Sequence, residues 1–263
     1  MQQTFENMSS YWQKRYKELL ENPPPMVSCC HCGSSRAERE IKTFKGICYD
    51  CNQKQEARQE KLDWLYAYER SGLVPEDKRF EFSKITPGLQ HDSIINYLSR
   101  WSAAMSKGRG FYLAGNLGTG KTTLVKCIIN QHLKQTLTGA MFLKYPDVFA
   151  GLKQGGFKDN PTRGLLNRAY KVALLVIDDL GVGAKARWAE DEIMPIIDSR
   201  WASRLPTIFN SNGLMAMEGS GHGLRMLSED RITSRVLDRI REATSNHQIV
   251  LAGSSLRGRA DVG

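Results

Sequence analysis

Gly115-Asn116-Leu117-Gly118-Thr119-Gly120-Lys121-Thr122 is the stretch on which the architecture turns. It fits the pattern of a glycine, four residues, then Gly-Lys-Ser/Thr. Glycines let the backbone wrap a phosphate and aim successive amides at it, and a helix opening at Lys121 adds its positive end. Lys121 is then expected on the β- and γ-phosphates of a nucleotide, with the Thr122 hydroxyl on Mg²⁺. With glycine near 7% of residues, chance produces the pattern in roughly one in a hundred chains of this length. Gly115, Asn116, Gly118, Thr119, Gly120, Lys121, Thr122 and Thr123 are therefore the candidate ATP-binding residues.

Working outward, Phe111–Ala114 reads as the strand that must precede such a loop, and a helix from Lys121 to about Leu133 follows it. Further strands are expected at Ala140–Lys144, Val172–Ile177, Thr207–Phe209 and Gln248–Leu251, with helices around Trp188–Ser203 and Asp230–Arg241 between them. Alternation of this kind implies an α/β fold with a parallel sheet flanked by helices. The run Val172–Ile177 leads into Asp178-Asp179, two carboxylates at the end of a buried strand. Asp178 is expected to hold Mg²⁺ and Asp179 to orient or deprotonate the attacking water. Asn212, at the tip of Pro206–Asn212, can position the same water. Arg231, Arg235 and Arg239 are spaced by four and share a helix face, from which an arginine can reach a neighbouring subunit's γ-phosphate. Cys127, in the helix after the loop, reads as a core residue.

Five of the six cysteines fall between Cys29 and Cys51. Cys29-x₂-Cys32 and Cys48-x₂-Cys51, separated by 15 residues, have the spacing of a four-cysteine zinc site. Gly33 and Gly46 permit the turns that aim the sulfurs. Too short to bury a sufficient core, the segment needs the metal for its folding energy. Cys30 and His31 are competing ligands inside the first pair, and redox chemistry or free thiols remain the alternatives. Ahead of it, Phe5, Met8, Trp12, Tyr16 and Leu19 share a helix face, and Pro23–Pro25 end that helix. Behind it, Lys54–Arg70 reads as a second helix and Val74–Lys78 as a linker. The expected domains are thus residues 1–78, small and zinc-binding, and 79–263, nucleotide-binding.

Of 263 residues, 37 are Lys or Arg and 28 Asp or Glu, giving a net charge of +9 that favours a polyanionic partner. The longest aliphatic run, Val172–Ile177, is far short of the roughly 20 residues that span a bilayer. No basic-then-apolar signal opens the chain. A soluble cytoplasmic protein without a membrane partner is expected.

The motifs GNLGTGKTT at 115–123, VALLVIDDLG at 172–181, PTIFNSN at 206–212 and SRVLDRI at 234–240 resemble, in this order, the DnaC/DnaI-type helicase loaders and the related IstB transposition helpers. These form a clade of AAA+ ATPases. The resemblance implies that Asp178 and Asp179 are the Walker B pair, Asn212 the first sensor and Arg235 the arginine finger acting in trans, with Arg239 as the alternative. Asn210 stands where a common loader pattern has threonine. Twelve residues follow Leu251, too few for a C-terminal lid domain, as in the truncated loaders. The implied partners are a hexameric replicative helicase, single-stranded DNA and further copies of the chain in an ATP-dependent oligomer. Lys153, Lys158, Arg163 and Arg168, with Phe157, form a candidate DNA-facing stretch. The alternatives are an IstB-like helper binding duplex DNA and a transposase, and a regulatory adaptor that binds ATP with negligible hydrolysis.

Overall fold

Apolar residues fill both alternating positions of the central strands, as a sheet buried on both faces requires. The computed structural model describes residues 21–22, 25–85, 92–103, 108–154, 161–182, 187–213, 232–251, 253 and 255. The N-terminal apolar helix, Arg231 and Phe157-Lys158 lie outside these, as does the start of the expected Asp230–Arg241 helix. The chain divides into two compact units, Met1–Leu62 and Asp63–Gly263.

In the smaller unit, β1 (Met26–Ser28) pairs antiparallel with β2 (Ser35–Ala37), followed by α1 (Glu38–Thr43) and α2 (Tyr49–Glu69). Its buried residues are Cys29, Ile41, Cys48 and Cys51, with Ile47 packed against them. The helix expected from Lys54 begins earlier, at Tyr49, and takes in Cys51.

In the larger unit come α3 (Asp92–Ala103), β3 (Phe111–Gly115), α4 (Lys121–Thr136), β4 (Ala140–Lys144), α5 (Tyr145–Gln154) and α6 (Pro161–Ala169). Then follow β5 (Leu174–Leu180), α7 (Arg187–Ala202), β6 (Thr207–Ser211), α8 (Ser234–Thr244) and β7 (Gln248–Leu251). The five strands are parallel, in the order β4-β5-β6-β3-β7. Alternation sorts the core: Tyr112, Met141, Leu175 and Phe209 pack on one face with residues of α5 to α8, while Phe111, Leu113, Val176 and Ile208 pack on the other with α4 and Leu98. Cys127 is buried, as expected of a core residue.

Two differences from the sequence reading have physical causes. The strand expected over Val172–Ile177 runs over Leu174–Leu180, so both carboxylates lie within it; Asp179 takes φ +54° and the register against β6 shifts between Ile177 and Leu180. The expected linker Val74–Lys78 is instead a docked 3₁₀ turn, Pro75–Arg79. Asp77 in that turn is buried, accepts from Lys126 Nζ at 2.7 Å, and gives its carbonyl to Asn130 Nδ2 at 2.7 Å. With

Candidate functional site

The loop after β3 turns through Gly118 and Gly120, at φ +81° and +88°, a region that L side chains rarely adopt. From Gly120 the chain passes directly into α4, so the amides at the helix start face the loop's concavity. Lys121 is buried, and its ammonium donates to the Gly115 carbonyl at 2.8 Å, the Asn116 carbonyl at 2.9 Å and Asn212 Oδ1 at 2.8 Å. It therefore ties the end of β3 to the end of β6. The Thr119 hydroxyl donates to the Asn116 carbonyl at 2.9 Å, so Thr119 braces the loop.

Leu117, Gly118, Gly120, Lys121, Thr122, Thr123, Asp179 and Asn212 line one cavity of about 260 Å³. Phosphate-binding amides, one ammonium, a carboxylate and an amide tip thus converge from the ends of three neighbouring strands. Asp178 lies beside it and is buried; the Thr122 hydroxyl donates to it at 3.2 Å. Burial, and then the charge of Asp179, hold the Asp178 carboxyl above the usual range, against the hydrogen bonds from Asn210 and Thr122. A divalent cation at Thr122 and Asp178 would offset that cost, so the donor set fits a hard metal held by oxygen. Gly115 and Asn116 take part through their carbonyls.

Asn210 is the residue that sequence reasoning passed over. It is fully buried in β6, and its Nδ2 donates to Asp178 Oδ1 across the sheet. An amide inside an otherwise apolar strand is the signal that could have found it. Glu190 is another: buried on α7, it accepts from the Thr233 amide at 3.0 Å and the Thr233 hydroxyl at 2.5 Å. This fixes the start of α8, the helix that carries Arg235.

Arg235 is not brought to the cavity. It is exposed and lines a separate groove with Asp191, Met194, Pro195 and Asp198. Arg239 is held by Asp198 at 2.5 Å and by Glu242. Of the candidate DNA-facing residues, Arg163 pairs with Glu192 at 3.2 Å, and Arg168 donates to the Arg70 carbonyl.

In the smaller unit, the sulfurs of Cys29, Cys32, Cys48 and Cys51 all lie within 4.8 Å of one another. Cys32 and Cys48 are 3.8 Å apart, close to the ~3.8 Å edge of a tetrahedron with Zn–S bonds of about 2.3 Å. Gly33 and Gly46 take φ +72° and +99° at the two turns, and the Cys48 amide donates to Cys29 Sγ at 3.3 Å. The Cys29 thiol is lowered to about 6, chiefly by the Cys32 backbone amide, while burial pushes Cys51 up to about 12. Four thiols so close together fit a soft divalent cation. Cys30 and His31 are exposed, outside the cluster.

A parallel sheet with a glycine loop at β3, paired carboxylates on β5 and a polar tip on β6 defines an AAA+ type nucleotide-binding protein. The chain belongs to the family described as IstB-like ATP binding protein, which it matches over residues 77–262. It is homologous to two helicase loaders. It is 32% identical over 107 residues to the replicative helicase loader DnaI of Bacillus subtilis, covering 40% of this chain and only 34% of that relative. It is 27% identical over 184 residues to the replicative helicase loader DnaC of Escherichia coli K12, covering 68% and 69%. A crystal structure of DnaI superposes with a TM-score of 0.56 at 28% identity, over 69% of this chain and 95% of that one. Among the described residues, no helix is long and apolar enough to cross a membrane.

Proposed function

We propose that the protein is an ATP-dependent helicase loader. Its cysteine unit docks on a hexameric replicative helicase; its nucleotide-binding domain self-associates with ATP and handles single-stranded DNA. The observation that carries this reading is the order, along one chain, of a four-cysteine unit and a domain homologous to DnaI and DnaC. The four thiolates would hold Zn²⁺ in a closed, structural site.

In the nucleotide site, Lys121 exchanges its two loop carbonyls for β- and γ-phosphate oxygens, and the loop amides enclose the phosphates. Thr122 and Asp178 would hold Mg²⁺. When bound, that ion neutralises charge developing on the phosphates. Asp179 and Asn212, both on the cavity wall, orient the attacking water, and Asp179 takes its proton. Arg235, exposed and outside its own subunit's cavity, supplies transition-state charge to a neighbour's γ-phosphate. Lys153 and Lys158 contact the DNA backbone.

Native mass spectrometry of the protein with the host's replicative helicase, ATP and Mg²⁺ tests the reading. About six loaders per helicase hexamer, dissolved by chelating zinc, is the expected result. The family described as IstB-like favours a second reading, a transposition helper. Absence of a helicase complex together with an ATP-dependent assembly on duplex DNA would replace the first reading by this one. Lys121→Ala should lose nucleotide binding at least 100-fold, and Arg235→Ala should bind ATP normally but hydrolyse it at least 100-fold more slowly.

A further inference from the structure

All five strands are parallel, so the loops entering them share one edge of the sheet, opposite the edge that carries the nucleotide cavity. The two edges differ in charge. The nucleotide edge presents Asp178 and Asp179. The entering segments 137–139, 170–173, 203–206, 108–110 and 245–247 contain no carboxylate. They do contain Lys171, Arg204 and Arg109, all exposed, immediately ahead of the adjacent strands β5, β6 and β3. Strands lie about 4.8 Å apart, so these cations are spaced across roughly 10 Å of sheet.

Two grooves extend the band. One, of about 800 Å³, adds Arg70 and Arg168 to Lys171, with Asp63 as the one carboxylate lining it. The other, of about 500 Å³, contains Arg109, Arg204 and Trp201. Among the described residues none of these five cations forms an ion pair. Arg168 donates to the carbonyl of Arg70, and burial together with the Arg70 charge lowers its pKa, the mark of like charges gathered without an anion. Each groove also has an exposed aromatic: Tyr66 is 62% and Trp201 50% accessible.

Unpaired cations at strand spacing with exposed ring faces fit a phosphodiester backbone whose bases can stack. An acidic protein surface would match the charges but leave the two exposed aromatic faces without a role. We propose that this edge is a nucleic-acid docking surface, separate from the Lys153–Lys158 segment and from the nucleotide cavity. Lys171, Arg204 and Arg109 hold consecutive phosphates, and Trp201 stacks a base. The proposal rests on the nucleic-acid-handling reading above and gives it a second location.

Fluorescence anisotropy of labelled (dT)₃₀ and of a 30-base-pair duplex, titrated with the full chain and a non-hydrolysable ATP analogue at 50 to 300 mM salt, tests it. Lys171→Glu/Arg204→Glu/Arg109→Glu should bind (dT)₃₀ at least tenfold more weakly than wild type. Its log–log salt slope should shrink by about 2, since each lost phosphate contact on a single strand contributes about 0.7. Trp201→Ala should weaken binding with an unchanged slope. Nucleotide affinity and melting temperature of the triple variant should match wild type, which separates docking from folding. Loss on the duplex but not on (dT)₃₀ would keep the surface and change its strand preference. Wild-type affinity and slope in the triple variant would overturn the proposal while leaving the loader reading intact. Failure of the wild-type chain to bind either probe would remove both. Unchanged nucleic-acid binding with loss of the helicase complex would assign the edge to a protein partner and overturn the proposal as well.

Discussion

Cys29 and Lys121 are both buried polar groups beside turns opened by glycines at positive φ, yet their surroundings differ. Around Lys121, strands buried on both faces hold the loop, and the ammonium finds three oxygens of the chain itself. Around Cys29, the buried side chains are three cysteines and Ile41. Removing water from Lys121 is offset by packing and hydrogen bonds already present; at Cys29 only a cation at the four sulfurs would supply an equivalent. One region carries its own core, and the other borrows one from a metal.

Removing the metal gives the sharpest test of that contrast. Structural zinc contributes on the order of 10 kcal/mol to folding in small domains. Chelation, or Cys32→Ser, should therefore unfold residues 26–62. The expected record is lost far-UV helical signal and rapid amide exchange in that unit, while nucleotide affinity and amide protection in β3, β5 and β6 stay at wild-type values. Retained protection around Ile41 after chelation would show that the unit holds itself together and would erase the contrast.

The same contrast explains what was legible in the sequence. The phosphate loop, the two cysteine pairs and the apolar strands are local patterns, and each appears where its spacing puts it. What escaped depends on neighbours distant in sequence. Asn210 is an unremarkable amide until the sheet sets it beside Asp178. The Val74–Lys78 segment has the composition of a linker, yet it docks because Lys126 and Asn130, far along the chain, receive Asp77. Asp178 and Asp179 discouraged extending β5, since carboxylates are poor strand formers, but pairing with β4 and β6 overrides that preference.

Acid should attack the larger core at a different point. His132 is buried at the end of α4, with its Nε2 2.9 Å from the Thr138 hydroxyl, and burial lowers its pKa to about 4. The unfolded chain, near the ordinary 6.5, then binds the proton more readily than the folded one. The stabilising contribution of neutral His132 is present above pH 6.5 and is lost as pH falls from there towards 4, amounting to about 2 kcal/mol at pH 5. His132→Gln, which does not titrate, should flatten the fall in melting temperature between pH 7 and 5 in the metal-free protein, where the cysteine unit no longer contributes. An equally steep fall in this variant would place the acid sensitivity of the larger unit elsewhere.

The smallest expected effect lies inside the nucleotide site and asks how far its order depends on single hydrogen bonds. Asn210 and leucine are close in size, so Asn210→Leu keeps the volume of β6 and removes the donor to Asp178. Packing alone would leave the carboxylate where it is, and the substitution would be silent. If the amide instead selects the orientation of Asp178 beside Thr122, losing it should cost about 1.4 kcal/mol of Mg²⁺-dependent binding, a tenfold change. The readout is a fluorescent ATP analogue titrated with and without EDTA. In EDTA the variant should match wild type, since Lys121 and the loop amides are untouched; with Mg²⁺ it should lose the extra affinity. Asn210→Thr, which restores a hydroxyl donor, should recover part of the difference. A uniform loss under both conditions would mean that β6 had shifted as a whole, making Asn210 a packing residue. Loss confined to the Mg²⁺ arm would show that even within a region that supplies its own core, one buried amide sets the geometry on which the metal depends.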